Sequence, residues 1–476
     1  ILFFFLLLLL CYNNIFEINI VMKKDDLLSI SPLDGRYSEV CKDINDVFSE
    51  YSLIKNRIYI ELKWFIFLSK ISKIKGLPSI KAKDEKFLMN IFHNFDLNDA
   101  KKIKKIEKTT KHDVKAVEYF LKLKFSENES LNKFKEYIHI CCTSEDINNL
   151  AYALMIKLGK NRILLKINDL NKTIQSNIKR FSKNIMLSHT HGQPATPTTM
   201  GKEFLNFYHR IDKLHDKLNK IKVCGKFNGA TGNYSAHSIT FPDVNWPVVN
   251  KKFIQNLGIE ENKFTTQIEP HDYICEISND LAHINSILIG FSQDMWSYIS
   301  KNYFIQKNIV GEIGSSTMPH KINPINFENA EGNLGIANSV LNFLSEKLII
   351  SRLQRDLSDS TVLRNIGISY GYSFLAYENL IIGLKKISIN SKKLNEDIED
   401  SWEILAEPIQ MVARKYNISD SYELLKKVTR GKLVTKEVIH TMINSLNIPK
   451  RDKIDLLNLT PKKYIGYAVK LCNEKR

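Results

Sequence analysis

The densest concentration of reactive side chains lies in GEIGSSTMPHKINPINFENAEGN, residues 311–333. Gly311 and Gly314 permit backbone bends, the pair Ser315–Ser316 follows, and Lys321 and Asn323 offer donors before Pro324 restarts a helix. Such a loop can close over an anion and bring a hydroxyl to it. Further polar segments are TTKHDVKAVEYF (109–120), CCTSEDINN (141–149), SHTHGQPATPTTMGKE (188–203), TTQIEPHDY (265–273) and QRDLSDSTVLRN (354–365). All fall between long helical stretches, where a rigid scaffold commonly presents catalytic groups.

His189 and His191 stand two apart, a spacing that invites a metal reading when it occurs on a strand. The flanks read as helical stripes, and no Cys, His or carboxylate set completes a ligand shell, so no metal is expected. Within HTHGQPATP, beside Gly192, Pro194 and Pro197, His191 instead falls on a fixed turn, a place for a proton donor.

These segments need long elements to position them. Leu150, Leu154, Leu158, Ile163, Ile167, Leu170, Ile174, Ile178 and Phe181 recur mostly every three or four residues, without a proline. That predicts one helix of nearly forty residues, roughly 60 Å long. A second stripe runs from Met200 through Phe204, Tyr208, Ile211, Leu214 and Leu218 to Ile221, and a third from Ile274 to Ile299. Helices are also expected at about 326–350 and 361–388. Five long helices forming one bundle carry more apolar face than a lone chain covers, which predicts association with further copies. The expected fold is all-α in three helical domains, 22–132, 133–385 with the long bundle, and 386–476.

An apolar content of 43% and only 19 Gly and 12 Pro in 476 residues exclude disorder and argue against a sandwich of short strands. Seven scattered cysteines form neither a disulfide framework nor a zinc motif, which favours a reducing, cytoplasmic setting. A net charge of +16 suits nucleic acid, an acidic small substrate or a lysine-rich surface. The run Lys101, Lys102, Lys104, Lys105, Lys108 has no interleaved aromatics for base stacking and reads as a solvated helix face, so no nucleic acid is expected. ILFFFLLLLLCY at the start is too short to span a bilayer and lacks the basic flank of a signal peptide, so no membrane partner is expected. Residues 1–21 are read as an upstream extension before Met22, dispensable for activity.

The run GSSTMPHKINP, from Gly314 to Pro324, resembles the GSSxMPxKxNP signature of the fumarase/aspartase superfamily of elimination lyases. KHDVKAVEYF, TSEDINN, THGQPATPTTMGKE, QIEPHDY and QRDLSDSTVLRN look like its adenylosuccinate lyase branch in the bacterial-type form, as does the spacing from Met22 to SPLDGRY. The resemblance runs from about Met22 to the C-terminus. It implies a central bundle shared by four copies, sites built from three chains, and no cofactor. It also implies that Ser315 takes a carbon-bound proton and His191 protonates a leaving nitrogen. His112, Asp113, Thr143, Ser144, Gln267, Lys321 and Asn323 match positions that contact a succinyl group or orient the acid. Arg36, Tyr37, Arg355, Ser360 and Arg364 match positions that hold a nucleotide, and guanidiniums suit its phosphate. Lys111 falls in the same substrate-binding stretch but replaces the Asn expected there, which puts a side-chain contact from it in doubt. Met318 and Pro319 are expected to be supports, and His271 and His320 receive no chemistry. Another fumarate-releasing lyase of the superfamily, or a non-catalytic relative, is the rival expectation.

Overall fold

The computed structural model describes residues 26–309, 311, 317–431 and 433–474. Ser315 and the N-terminal apolar stretch lie outside the described residues. Helices α1 (Ser38–Phe48), α2 (Glu50–Ser69), α3 (Leu97–Thr110) and α4 (Asp113–Ser126) precede the predicted long helix, α5, which runs Ser144–Phe181. Its start is set by Thr143: the hydroxyl accepts from the Asp146 N–H while the Asp146 carboxylate accepts from the Thr143 N–H, a reciprocal cap before the first apolar residue. At 38 residues α5 is about 57 Å long.

The bundle continues with α6 (Met200–Lys220), α7 (Asp272–Ser300), α8 (Ile325–Lys347), α9 (Ser358–Leu363) and α10 (Ile366–Lys386). Helix α5 packs on α6 and α10, α7 on α6 and α8, and α8 on α10, so the long helices close on one another. Two contacts between α5 and α10, Lys166 with Glu378 and Asn177 with the Leu384 carbonyl, show them running in the same direction. The expected helix at 361–388 is broken between Leu363 and Ile366. Asn365 gives its amide to the Thr361 carbonyl, a local bond of the kind that interrupts a helix.

The helical flanks expected around His189 and His191 are corrected: β1 (Ile185–Thr190) and β2 (Gln193–Thr199) form an antiparallel hairpin. His191 and Gly192 turn it with φ of 53° and 74°, the two positive values that a tight hairpin turn needs. Three-residue strands β5 (Phe304–Gln306) and β6 (Ile387–Ile389) pair antiparallel, and the two-residue β3 (Cys224–Gly225) and β4 (Glu260–Glu261) pair in parallel.

One continuous apolar core joins the N-terminal helices to the bundle, from Ile44 and Trp64 through Ile147, Phe204, Leu281 and Leu334 to Leu394. A second core gathers Ile398, Leu405, Ile409, Ile439 and Ile443 near the C-terminus, and Leu187 of β1 inserts into it. Among the described residues no helix is long and apolar enough to cross a membrane.

Candidate active site

At the Ser144 end of the bundle several expected residues meet. Helix α3 stops at Lys111, which takes φ of 55° and donates its N–H to the Glu107 carbonyl. Lys enters that left-handed conformation less readily than Asn would, so Lys111 makes the turn at some cost in backbone strain. The chain then delivers His112 as the cap of α4, its Nδ1 accepting from the Lys115 N–H at 3.2 Å. A neutral imidazole so engaged carries its proton on Nε2, and Nε2 faces the Ser144 hydroxyl at 3.5 Å. His112 and Ser144 thus form a pair of donors at one exposed edge.

Asp113 is clamped by two guanidiniums, at 2.6 Å from the buried Arg57 and 3.2 Å from Arg364. Burial works to raise its carboxyl, but Arg57, the Val114 N–H and Arg364 outweigh that and hold it below the ordinary range. Arg57 also donates to Asn148 on α5, and Arg364 also pairs with Glu50. Arg364 stays partly exposed, a cation held by the two acids Glu50 and Asp113.

Gln267 and Arg355 are joined directly, Arg355 donating to Gln267 Oε1 at 3.2 Å while Gln267 donates to the Ala230 carbonyl. Close approach of the two loops depends on Gly232, at φ 75°, where any Cβ would collide with the Thr265 and Thr266 carbonyls. Behind Arg355 lies Glu145, 2% exposed and 3.3 Å away. Burial pushes Glu145 up to about 7 against the pull of Arg355. Ser360 sits in the first turn of α9, its N–H bound to Asp359.

Beneath Thr143 and Ser144 lies a salt bridge with no solvent access: Lys226 reaches Asp146 at 2.8 Å, and Asp146 also accepts from the Asn228 and Gly229 N–H groups. Removing one partner of such a pair leaves a bare buried charge. Lys226→Met is expected to lower the free energy of unfolding by about 3 kcal/mol. Urea titration measures it, and a loss under about 1 kcal/mol would show that Asp146 is satisfied by the amides alone.

His191, Lys321 and Asn323 are at the other end. His191 tips the hairpin that follows the last turn of α5. Arg180, in that turn, donates to the Ile387 carbonyl of β6, which pairs with β5, and Gln306 of β5 donates to the Ile322 carbonyl between Lys321 and Asn323. Tyr37 accepts from Asn329 in α8, which ties the Arg36–Tyr37 turn to the helix that follows the signature run. Even folded straight back, the ten residues from Ser182 to His191 span at most about 35 Å, against about 57 Å of α5. Within one chain, therefore, His191 cannot approach Ser144.

A lyase family model matches residues 35–338, and one described as adenylosuccinate lyase C-terminal matches residues 351–465. The adenylosuccinate lyase of Buchnera aphidicola subsp. Schizaphis graminum is 50% identical over 454 residues, 95% of this chain and 100% of that protein. The chain belongs to the adenylosuccinate lyase family. The Escherichia coli K12 relative is 47% identical over the same length, with 95% of this chain and 100% of that protein covered. Among solved structures, fumarate lyase from Mesorhizobium sp. BNC1 has a TM-score of 0.75 at 16% identity, covering 91% of this chain and 96% of that one. That likeness establishes the fold of this superfamily. The protein is an enzyme, a lyase, and its C-terminal family match contains Arg355, Ser360 and Arg364.

Sequence reasoning missed the buried supports. Glu145 and Asp146 sit inside the segment singled out at 141–149 but were assigned nothing, because burial is invisible in a string. Arg57 carried no clear signal either, since Lys55, Asn56, Glu61 and Lys63 share its stretch. Lys226 carried none.

Proposed function

We propose that the protein eliminates fumarate from adenylosuccinate, leaving AMP, and from succinylaminoimidazolecarboxamide ribotide, leaving aminoimidazolecarboxamide ribotide, in purine biosynthesis. The observation that carries this is the pairing of a lyase match over residues 35–338 with an adenylosuccinate lyase match over 351–465, together with near-complete relatives at 47–50% identity. In the reaction Ser315 removes a proton from the carbon beside one succinyl carboxylate. The electron pair becomes the fumarate double bond, the carbon–nitrogen bond breaks, and His191 supplies a proton to the departing nitrogen. His112 Nε2–H and the Ser144 and Thr143 hydroxyls suit the carboxylate whose charge grows in the transition state, as do Lys321, Asn323 and Gln267. Arg355, Ser360 and Arg364, with Arg36 and Tyr37, take the nucleotide side, and Lys111 supports the turn. The scheme needs neither cofactor nor metal.

The reading includes a homotetramer: the residues named fall at opposite ends of one bundle, which calls for more than one copy, and the number four is what the family resemblance implies. Leu158, Leu165, Trp296, Ile336 and Phe343 stay exposed on its helices, and Gly290, Gly332 and Gly335 leave open notches for close helix approach. It also includes a cytoplasmic location, which rests on the scattered cysteines. Purified protein mixed with adenylosuccinate is expected to release fumarate and AMP in equal amounts. Release from argininosuccinate or malate instead would move it to a sister activity, and no release from any of them would leave a non-catalytic relative.

A further inference from the structure

We propose that His271 is a positioning residue: wedged between Glu269 and Asp359, it fixes the spacing between the turn that carries Gln267 and the short helix that carries Ser360 and leads to Arg364. This rests on the site reading given above and gives a role to a histidine that the motif leaves without one.

His271 caps α7 at φ 66° and is 2% exposed. Its Nδ1 lies 3.6 Å from Glu269 Oε2, which also accepts the histidine's own N–H at 2.7 Å. Its Nε2 lies 3.7 Å from Asp359 Oδ2, too far for a hydrogen bond but close enough for ion pairing. Both of those atoms are buried without a hydrogen-bond partner, as is Glu145 Oε1. Glu269 is anchored on its other side by Asn262, and Asp359 by the Ser360 N–H. Each acid is therefore fixed in its own segment, and the imidazole spans the gap between them. The Glu269 segment is also the turn whose Gln267 accepts from Arg355.

The charges facing this point explain why a cation is needed. Glu145, Glu269 and Asp359 converge on it, with Asp272 beside Glu269, against Arg355, the more distant Lys226 and the imidazole itself. A neutral ring would leave Asp359 buried opposite no charge. Burial pulls the imidazole down, but Asp359, Glu269 and Glu145 outweigh it and hold it above the ordinary histidine range. Burial likewise raises Glu269 and Glu145, as expected where acids outnumber cations. Because the folded value is raised, the bridge is complete below the ordinary histidine value of about 6.5 and is lost as pH rises through the folded one.

The test compares KM and kcat for fumarate release from adenylosuccinate between about pH 6 and about pH 9 in wild type, His271→Asn and Asp359→Asn. Asn tolerates the positive φ and removes the charge. The wild-type KM is expected to climb on the alkaline side. In both variants KM is expected to start about tenfold higher and to lose that climb, with kcat within about threefold, the loss of one charged contact. Wild-type KM with the climb intact in His271→Asn overturns the proposal, as does a fall in kcat at unchanged KM. If His271→Asn does not fold, Asp359→Asn decides by the same criteria. The imidazole titration followed by NMR is independent of turnover: a value at or below about 6.5 overturns the bridge. Wild-type protein that releases no fumarate from adenylosuccinate rejects the functional reading instead, and the titration then judges the bridge alone.

Discussion

Replacing Ser315 with Ala is expected to leave substrate binding near normal and to lower turnover by about 10²–10⁴-fold, the usual scale for a positioned base. That loss equals roughly 3–5 kcal/mol of transition-state stabilisation. The reason is chemical: a serine hydroxyl is a very weak base, useful only when closure excludes water and donors stabilise both the alkoxide and the carbanion that forms. Lys321 and Asn323, on the same run, are suitably placed in sequence to supply such donors. Single-turnover measurement with adenylosuccinate separates binding from chemistry. Turnover within a few-fold of wild type would remove Ser315 from the role.

The second large effect concerns His191. His191→Ala is expected to lose turnover on a comparable scale, about 10²–10⁴-fold, and to regain part of it with added imidazole. Its side chain is exposed at a hairpin tip, so the variant retains the fold. The geometry adds a sharper outcome. Because His191 and His112 lie at opposite ends of α5, a site that uses both draws them from different copies. Mixing His191→Ala with His112→Asn, each inactive, and allowing subunits to exchange is expected to restore about a quarter of wild-type activity, the share of sites that receive both intact residues. Asn keeps the cap that His112 provides for α4. Recovery no greater than the sum of the two separate variants would place both residues in one chain's site.

The elements most legible in the sequence were those with an uninterrupted period. The stripes from Met200 and from Ile274 correspond to α6 and α7 within a residue or two, because an apolar face repeated every three or four residues has one low-energy use. The hairpin at Ile185–Thr199 was not legible. Its Pro194 and Pro197 read as loop punctuation, and the pairing that makes strands of it is a contact between segments. The break at Arg364–Asn365 was hidden for a similar reason, since Thr361 to Lys386 reads as helix until the Asn365 side chain competes for a carbonyl.

The sequence by itself determined the motifs: Gly314–Pro324, the His112–Asp113 pair and Thr143–Ser144 stand out in it as dense polar segments, and it is their resemblance to a lyase signature that implies an elimination. Covalent order is enough for that, since a motif is read from residues adjacent in the chain. Only the tertiary structure decided which of these groups share a site. It placed Arg364 on Asp113, Arg355 on Gln267, and His271 between Glu269 and Asp359, and it set His191 at the far end of α5. Distances between segments depend on the length and packing of whole helices, and the charge state of Glu145 or His271 depends on burial among neighbours distant in sequence.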